Sequence, residues 1–206
     1  MTRHHPNPDI SQIGAEIVAA AARLVVEDGM EYGPAKHQAL QLLGLPKRTS
    51  LPGNDQLEAE VRDYIALFYP ASQAQELAAM RALALVWMQR LSAFRPHLGG
   101  ALWRGTATRR NDIYLQLFCD DSKSAEIALI DQGVAYSVQP VTGFTGETVD
   151  TLSVLAYCRE LAQNVPVHVM IYDYDDLRGA LKKDAQGFSR RGDTAAVQHL
   201  MAKSAP

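Results

Sequence analysis

From Ile13 to Leu24 the apolar positions Ile13, Ile17, Ala20, Ala21 and Leu24 recur at three and four residues, the period of one helix face. This predicts a first helix capped by Asp9 or Ser11 and stopped by Gly29. Pro34 suits the first turn of a short second helix ending at Gly44. The run LPKRTSLPGND reads as a surface loop, after which Leu57, Val61, Tyr64, Ile65 and Phe68 mark a third helix closed by Pro70. Ser72 with Gln75 resembles a capping box for a fourth helix reaching Phe94. Its broad apolar face (Leu77, Met80, Leu83, Ala84, Trp87, Met88, Leu91) suits burial.

Beyond Pro96 the period becomes two. Ile113, Leu115 and Leu117 alternate with Tyr114, Gln116 and Phe118, which predicts a strand at least partly covered on both faces. Ser122 caps an expected helix through Asp131, stopped by Gly133. VAYSVQPV and TVDTLSVLAYC read as strands joined by TGFTGE, and VPVHVMIYD as another. Asp175 or Asp176 opens a helix through Lys183, GFSRRGD is a loop, and Asp193 caps a short last helix. The expected fold is α+β: an N-terminal helical half, residues 1–96, packed on a C-terminal half, residues 97–206, with a mixed β-sheet and flanking helices.

Composition narrows the classes of function. The 206 residues suffice to bury a sizeable core, and 47% hydrophobic with 21% charged residues is ordinary for a globular protein. A net charge of −3 gives no general attraction to nucleic acid or anionic membrane, so such binding would need a local patch. Cys119 and Cys158 lack C-x-x-C spacing and read as reduced thiols. The most apolar stretch, Leu77 to Leu91, is interrupted by Arg81, Gln89 and Arg90, so no membrane span is expected. With no leader-like N-terminal segment, the expectation is a cytoplasmic protein.

The chemistry concentrates in GALWRGTATRRNDIYLQLF, Gly100 to Phe118. Glycine permits close backbone approach to a phosphate, a hydroxyl and exposed N–H groups hold its oxygens, and guanidinium groups neutralise it. A carboxylate at the start of a strand can ligate Mg²⁺. This stretch resembles the signature of the nucleotidyltransferase fold of the DNA polymerase beta superfamily. Gly105 and Thr106 match its Gly-Ser pair, Ala107 and Arg109 its arginine-bearing loop, and Asn111, Asp112, Ile113 and Leu115 its strand. The resemblance implies a nucleotidyltransferase-like fold. It also implies a nucleotide or other phosphate-bearing ligand gripped by Arg104, Gly105, Thr106, Arg109 and Arg110, and Mg²⁺ on Asp112. The family places a second carboxylate two residues on, where this chain has Tyr114, a poor Mg²⁺ ligand because its phenol is protonated at neutral pH. A further carboxylate often comes from a neighbouring strand, and Asp173, ending HVMIYD, is the candidate; Asp173 to Asp176 reads more readily as a plain acidic helix start. Tyr114 favours a binding module with a degenerate metal site. The alternative is an active enzyme moving a nucleoside monophosphate from a triphosphate to a small molecule, RNA or protein.

Other features have plainer readings. The helix–glycine–helix opening has some character of a DNA-binding helix-turn-helix, but offers only Lys36 and His37 to bases, so DNA is not the expected partner. Arg178, Lys182, Lys183, Arg190 and Arg191 form a second basic group, in part a complement to a helix dipole. His97, His168 and His199 lack zinc-site spacing. Trp87 and Trp103 read as packing residues. Ser153 and Cys158 sit in no recognisable nucleophile context. A cell-wall ligase of the Mur type would need a glycine-rich loop ending Gly-Lys-Ser/Thr, which the sequence lacks.

Overall fold

The structure is a computed structural model that describes residues 10–183 and 187–204, with the side chains of 10, 11 and 204 outside the description. The chain divides into two compact units, Met1–Ser72 and Gln73–Pro206. The expected boundary at residue 96 followed the change of period. The fourth helix instead belongs with the sheet, because Met80, Ala84 and Met88 are buried among the sheet's apolar residues.

The first unit contains α1 (Ile10–Asp28), α2 (Tyr32–Leu42) and α3 (Asn54–Phe68). Its core is Ile17, Ala21 and Val25 of α1, Ala35, Ala39 and Leu40 of α2, and Leu57 and Val61 of α3. Of the positions expected from the three-and-four period, Ile17, Ala21, Leu24, Leu57, Val61 and Ile65 are buried in it. Gln56 Oε1 accepts from the Gly53 N–H at 3.2 Å to close the start of α3. The expected cap Asp9 lies outside the described residues. Lys36, one of the two side chains a DNA-reading helix would present, is buried and donates to Pro52 O at 3.1 Å and Asn54 Oδ1 at 2.8 Å.

The second unit is α+β. In chain order it contains α4 (Gln73–Arg90), β1 (His97–Leu98), α5 (Gly100–Arg104), β2 (Ile113–Cys119), α6 (Ser122–Asp131), β3 (Ser137–Thr142), β4 (Thr148–Cys158), β5 (Gln163–Asp173), α7 (Asp176–Ala180), β6 (Gly192–Asp193) and α8 (Thr194–Ser204). The described residues thus hold eight helices and one six-stranded mixed sheet, ordered β3-β4-β5-β2-β1-β6. β2 and β5 are parallel, and every other neighbouring pair is antiparallel. One sheet face (Ile113, Leu115, Leu117, Leu152, Val154, Val165, Val167, Val169) joins Met80, Met88, Leu102, Leu129 and Val197 from the helices in a dry core. The other face carries His97, Tyr114, Gln116, Phe118, Thr151, Ser153, His168, Met170 and Tyr172, since cross-strand partners share a face. Over part of it Phe118 and Tyr172 pack with Ala180 and Leu177 of α7.

Candidate functional site

The loop between α5 and β2 is bound to its own surroundings. Gly105 ends α5 with φ +82° and its N–H bonds back to Ala101 O, the left-handed termination that glycine favours. Arg81, buried on α4, donates from Nε to Leu102 O at 2.9 Å and from Nη2 to Trp103 O at 3.4 Å, so a cation meets the last carbonyls of α5. Burial pushes this guanidinium below its ordinary value. The Thr106 N–H also goes to Ala101 O, at 3.0 Å, and the Thr106 residue is 1% exposed. The Thr108 N–H meets Asn111 Oδ1 at 2.8 Å, and the Arg109 N–H meets Glu76 Oε2 at 2.9 Å.

A phosphate cradle keeps several N–H groups open toward its ligand. Here those of Gly105, Thr106, Thr108 and Arg109 are committed within the protein. The expected grip by Gly105 and Thr106 is therefore replaced by a helix terminus and a buried threonine. Of the three arginines, Arg104 is half-buried and Arg110 exposed. Arg109 latches the loop to the β4–β5 turn: its Nε and Nη2 donate to Gln163 Oε1 at 3.1 and 2.8 Å, and Gln163 Nε2 donates to Arg109 O at 2.6 Å.

Asp112, immediately before β2, stands in a polar cluster at the edge of the open face. His168 Nε2 lies 3.0 Å from Asp112 Oδ2, and Ser153 Oγ lies 2.8 Å from His168 Nδ1. The side chains of His168 and Asp112 are 23% and 35% exposed, so the pair is reachable from solvent. An ionised carboxylate only accepts hydrogen bonds, which places the imidazole proton on Nε2 and leaves Nδ1 to accept from the Ser153 hydroxyl. The Tyr114 ring stacks on the His168 ring with centroids 5.1 Å apart and planes 27° apart. Gly100 opens α5 at φ +66°, a left-handed conformation that glycine favours, with the Tyr114 ring in contact range. The register explains the cluster: Ser153, His168 and Tyr114 are directly opposed across β4, β5 and β2.

Asp173 is not part of it. It opposes Cys119 at the far end of β2, seven residues from Asp112, or about 23 Å at ~3.3 Å per residue. Its Oδ1 accepts from the Asp175 N–H at 2.9 Å in the turn that opens α7. The two aspartates cannot share a metal ion. The residue that the neighbouring strand places beside Asp112 is His168.

His168 and Ser153 are thus the functional candidates that residue types and spacing miss. They were accessible from the two strand sequences: folding TLSVLAYC and VPVHVMIYD about the turn that joins them sets Ser153 against His168. Their approach to Asp112 depends on the parallel pairing of β2 with β5, which no local pattern encodes.

The donor set does not suit a pair of Mg²⁺ ions, which take oxygen ligands and preferably carboxylates. The cluster has one carboxylate, an imidazole bonded to it and a phenol. Among the described residues, no three His, Cys, Asp or Glu side chains are grouped so as to hold a metal ion. Among the described residues, no helix is long and apolar enough to cross a membrane, and both cysteines are buried free thiols. Comparison with protein-family models, curated proteins and solved structures finds no match to this chain.

Proposed function

We propose that this chain is a nucleotidyltransferase-like protein that binds a nucleotide or another phosphate-bearing ligand beside Asp112 without a metal pair. One observation supports the reading above the others. Where the superfamily resemblance implies further carboxylates, this sheet presents Tyr114 and His168, stacked on each other, with His168 bonded to the one carboxylate that remains. A phenol can donate to phosphate oxygens, as carboxylates cannot, while both ring nitrogens of His168 are engaged by Asp112 and Ser153 and hold the ring under it. Arg110, exposed in the adjoining loop, is the cation we assign to the ligand. The buried free thiols accord with a cytoplasmic setting.

A transfer activity is the second reading, and the Ser153–His168–Asp112 chain favours it. His168 Nδ1 is placed to take a hydroxyl proton while Asp112 steadies the ring and its developing charge. This would be the active enzyme moving a nucleoside monophosphate to a small molecule, RNA or protein.

Titration calorimetry with ATP, GTP, CTP, UTP and inorganic phosphate tests the first reading. We expect binding that weakens with salt, persists in EDTA, and falls by roughly 1.5–3 kcal/mol in Arg110→Ala, the range for hydrogen bonds to charged groups. Absence of binding to the whole panel would refute it. Transfer of label from an α-phosphate-labelled triphosphate that disappears in His168→Gln would establish the second.

A further inference from the structure

The open sheet face holds a second polar group, one left unsatisfied, separate from the Asp112 cluster. Asp193 of β6 opposes His97, which opposes Gln116, so Arg191, two residues before Asp193, projects to this same face. Arg191 is only 7% exposed. Its guanidinium lies over the Phe144 ring, 4.3 Å from the centroid, and Phe144 packs on Tyr172 with centroids 4.6 Å apart. Its Nε and Nη1 are buried and donate to no acceptor among the described residues.

Gln116 Oε1 and Thr151 Oγ1 are also buried without partners among the described residues. Thr151, Met170, Gln116 and His97 form one row across β4, β5, β2 and β1. The Arg191 segment lies beside this row: a Cβ on Gly99 would sit 3.9 Å from Gln116 Nε2 and 4.0 Å from Arg190 O, within contact of both.

A guanidinium remains charged at any physiological pH, and a buried charge without a counter-charge is costly. The titratable groups coupled to Arg191 are the Tyr172 phenol and, with like sign, Arg190 and a protonated His97. No ion pair with a carboxylate offsets it among the described residues. The Phe144 face returns part of the lost hydration but supplies no acceptor for the two N–H groups. An oxyanion would supply both the charge and the acceptors.

We propose that Arg191 is the anchor of an oxyanion-binding site on this sheet face. The site takes the phosphate or carboxylate group of a small ligand whose hydroxyl or amino donors reach Gln116 Oε1 and Thr151 Oγ1. It uses none of Asp112, Tyr114, Ser153 or His168 and stands whether or not a nucleotide binds beside them.

Melting curves in phosphate, acetate and chloride at matched ionic strength test it with wild type and Arg191→Met. Wild type should gain a saturable rise in melting temperature from phosphate, acetate or both over chloride, and the pattern identifies which oxyanion fits. Arg191→Met should show no such rise, and in chloride should melt no lower than wild type, because it removes an uncompensated buried charge. Equal wild-type melting in all three salts, or a rise retained in Arg191→Met, would overturn the proposal. If the variant does not fold, the Arg191 Nε–H resonance of the wild-type protein gives the answer: a saturable shift on titration with inorganic phosphate or acetate supports the site, and an unmoved resonance in both refutes it.

Discussion

His97 shows how burial of a single side chain becomes a pH dependence. The residue is buried, its ring meets Phe118 edge-on, and its Nδ1 lies 2.8 Å from Arg95 O. Burial pushes it below its ordinary value of 6.5, more strongly than the Arg95 carbonyl holds it up. The fold therefore prefers the neutral ring, and this contribution is complete above pH 6.5. As the pH falls below that, the unfolded chain takes up a proton that the folded protein refuses, and stability declines by up to about 1.4 kcal/mol per pH unit until the folded value is reached. Urea unfolding at pH 7.0 and 5.5 should show a smaller loss for His97→Gln than for wild type; equal losses would assign the decline to other groups. The same closeness of detail limits what residue types alone disclose. Gly105, Thr106 and Arg109 have the composition of a phosphate loop, yet hydrogen bonds to Ala101, Glu76 and Gln163 give them structural work, and those partners are 4 to 54 residues away.

Helices and long strands were legible because their signals are local. The expected α6 ends at Asp131 as the structure has it, β4 spans TVDTLSVLAYC, and Asp193 Oδ1 accepts from the Ala196 N–H at 2.8 Å in the first turn of α8. β1, β6 and α5 were not legible. The two strands have two residues each, too few for a period, and α5 is a five-residue helix held by Arg81 from another element. Close contact rather than pattern fixes this region. A Cβ on Gly192 would lie 2.2 Å from two atoms of the Trp103 ring, which Nε1 fixes to Ser189 O at 2.7 Å. Gly192→Ala should cost about 1–3 kcal/mol in chemical denaturation, the range for overpacking, and a cost near zero would mean the ring is free to move. Gly105→Ala tests the end of α5 against Gly133→Ala, which has a similar positive φ but open space. Both should lose roughly 1–2 kcal/mol for the left-handed conformation and by similar amounts, since a Cβ at 105 would meet Arg81 Nη2 only at an ordinary contact distance of 3.5 Å.

The α+β class follows from the change of hydrophobic period, whereas the site follows from topology. Parallel pairing of β2 with β5 brings residues 112 and 168 together and carries residue 173 to the opposite end. That pairing turns an expected pair of carboxylates into Asp112 with His168, and on it rests the proposal of a phosphate-bearing ligand held without a metal pair. The charge on Asp112 separates the alternatives. If Mg²⁺ bridges the carboxylate to a phosphate, neutralising Asp112 weakens binding; if phosphate binds without metal, it removes a repulsion. The decisive measurement is calorimetric titration of ATP into wild type and Asp112→Asn, with Mg²⁺ and with EDTA. We expect the variant to bind at least as tightly as wild type in both buffers. Mg²⁺-dependent binding by wild type that is lost in Asp112→Asn would contradict the proposal and restore a metal to the site.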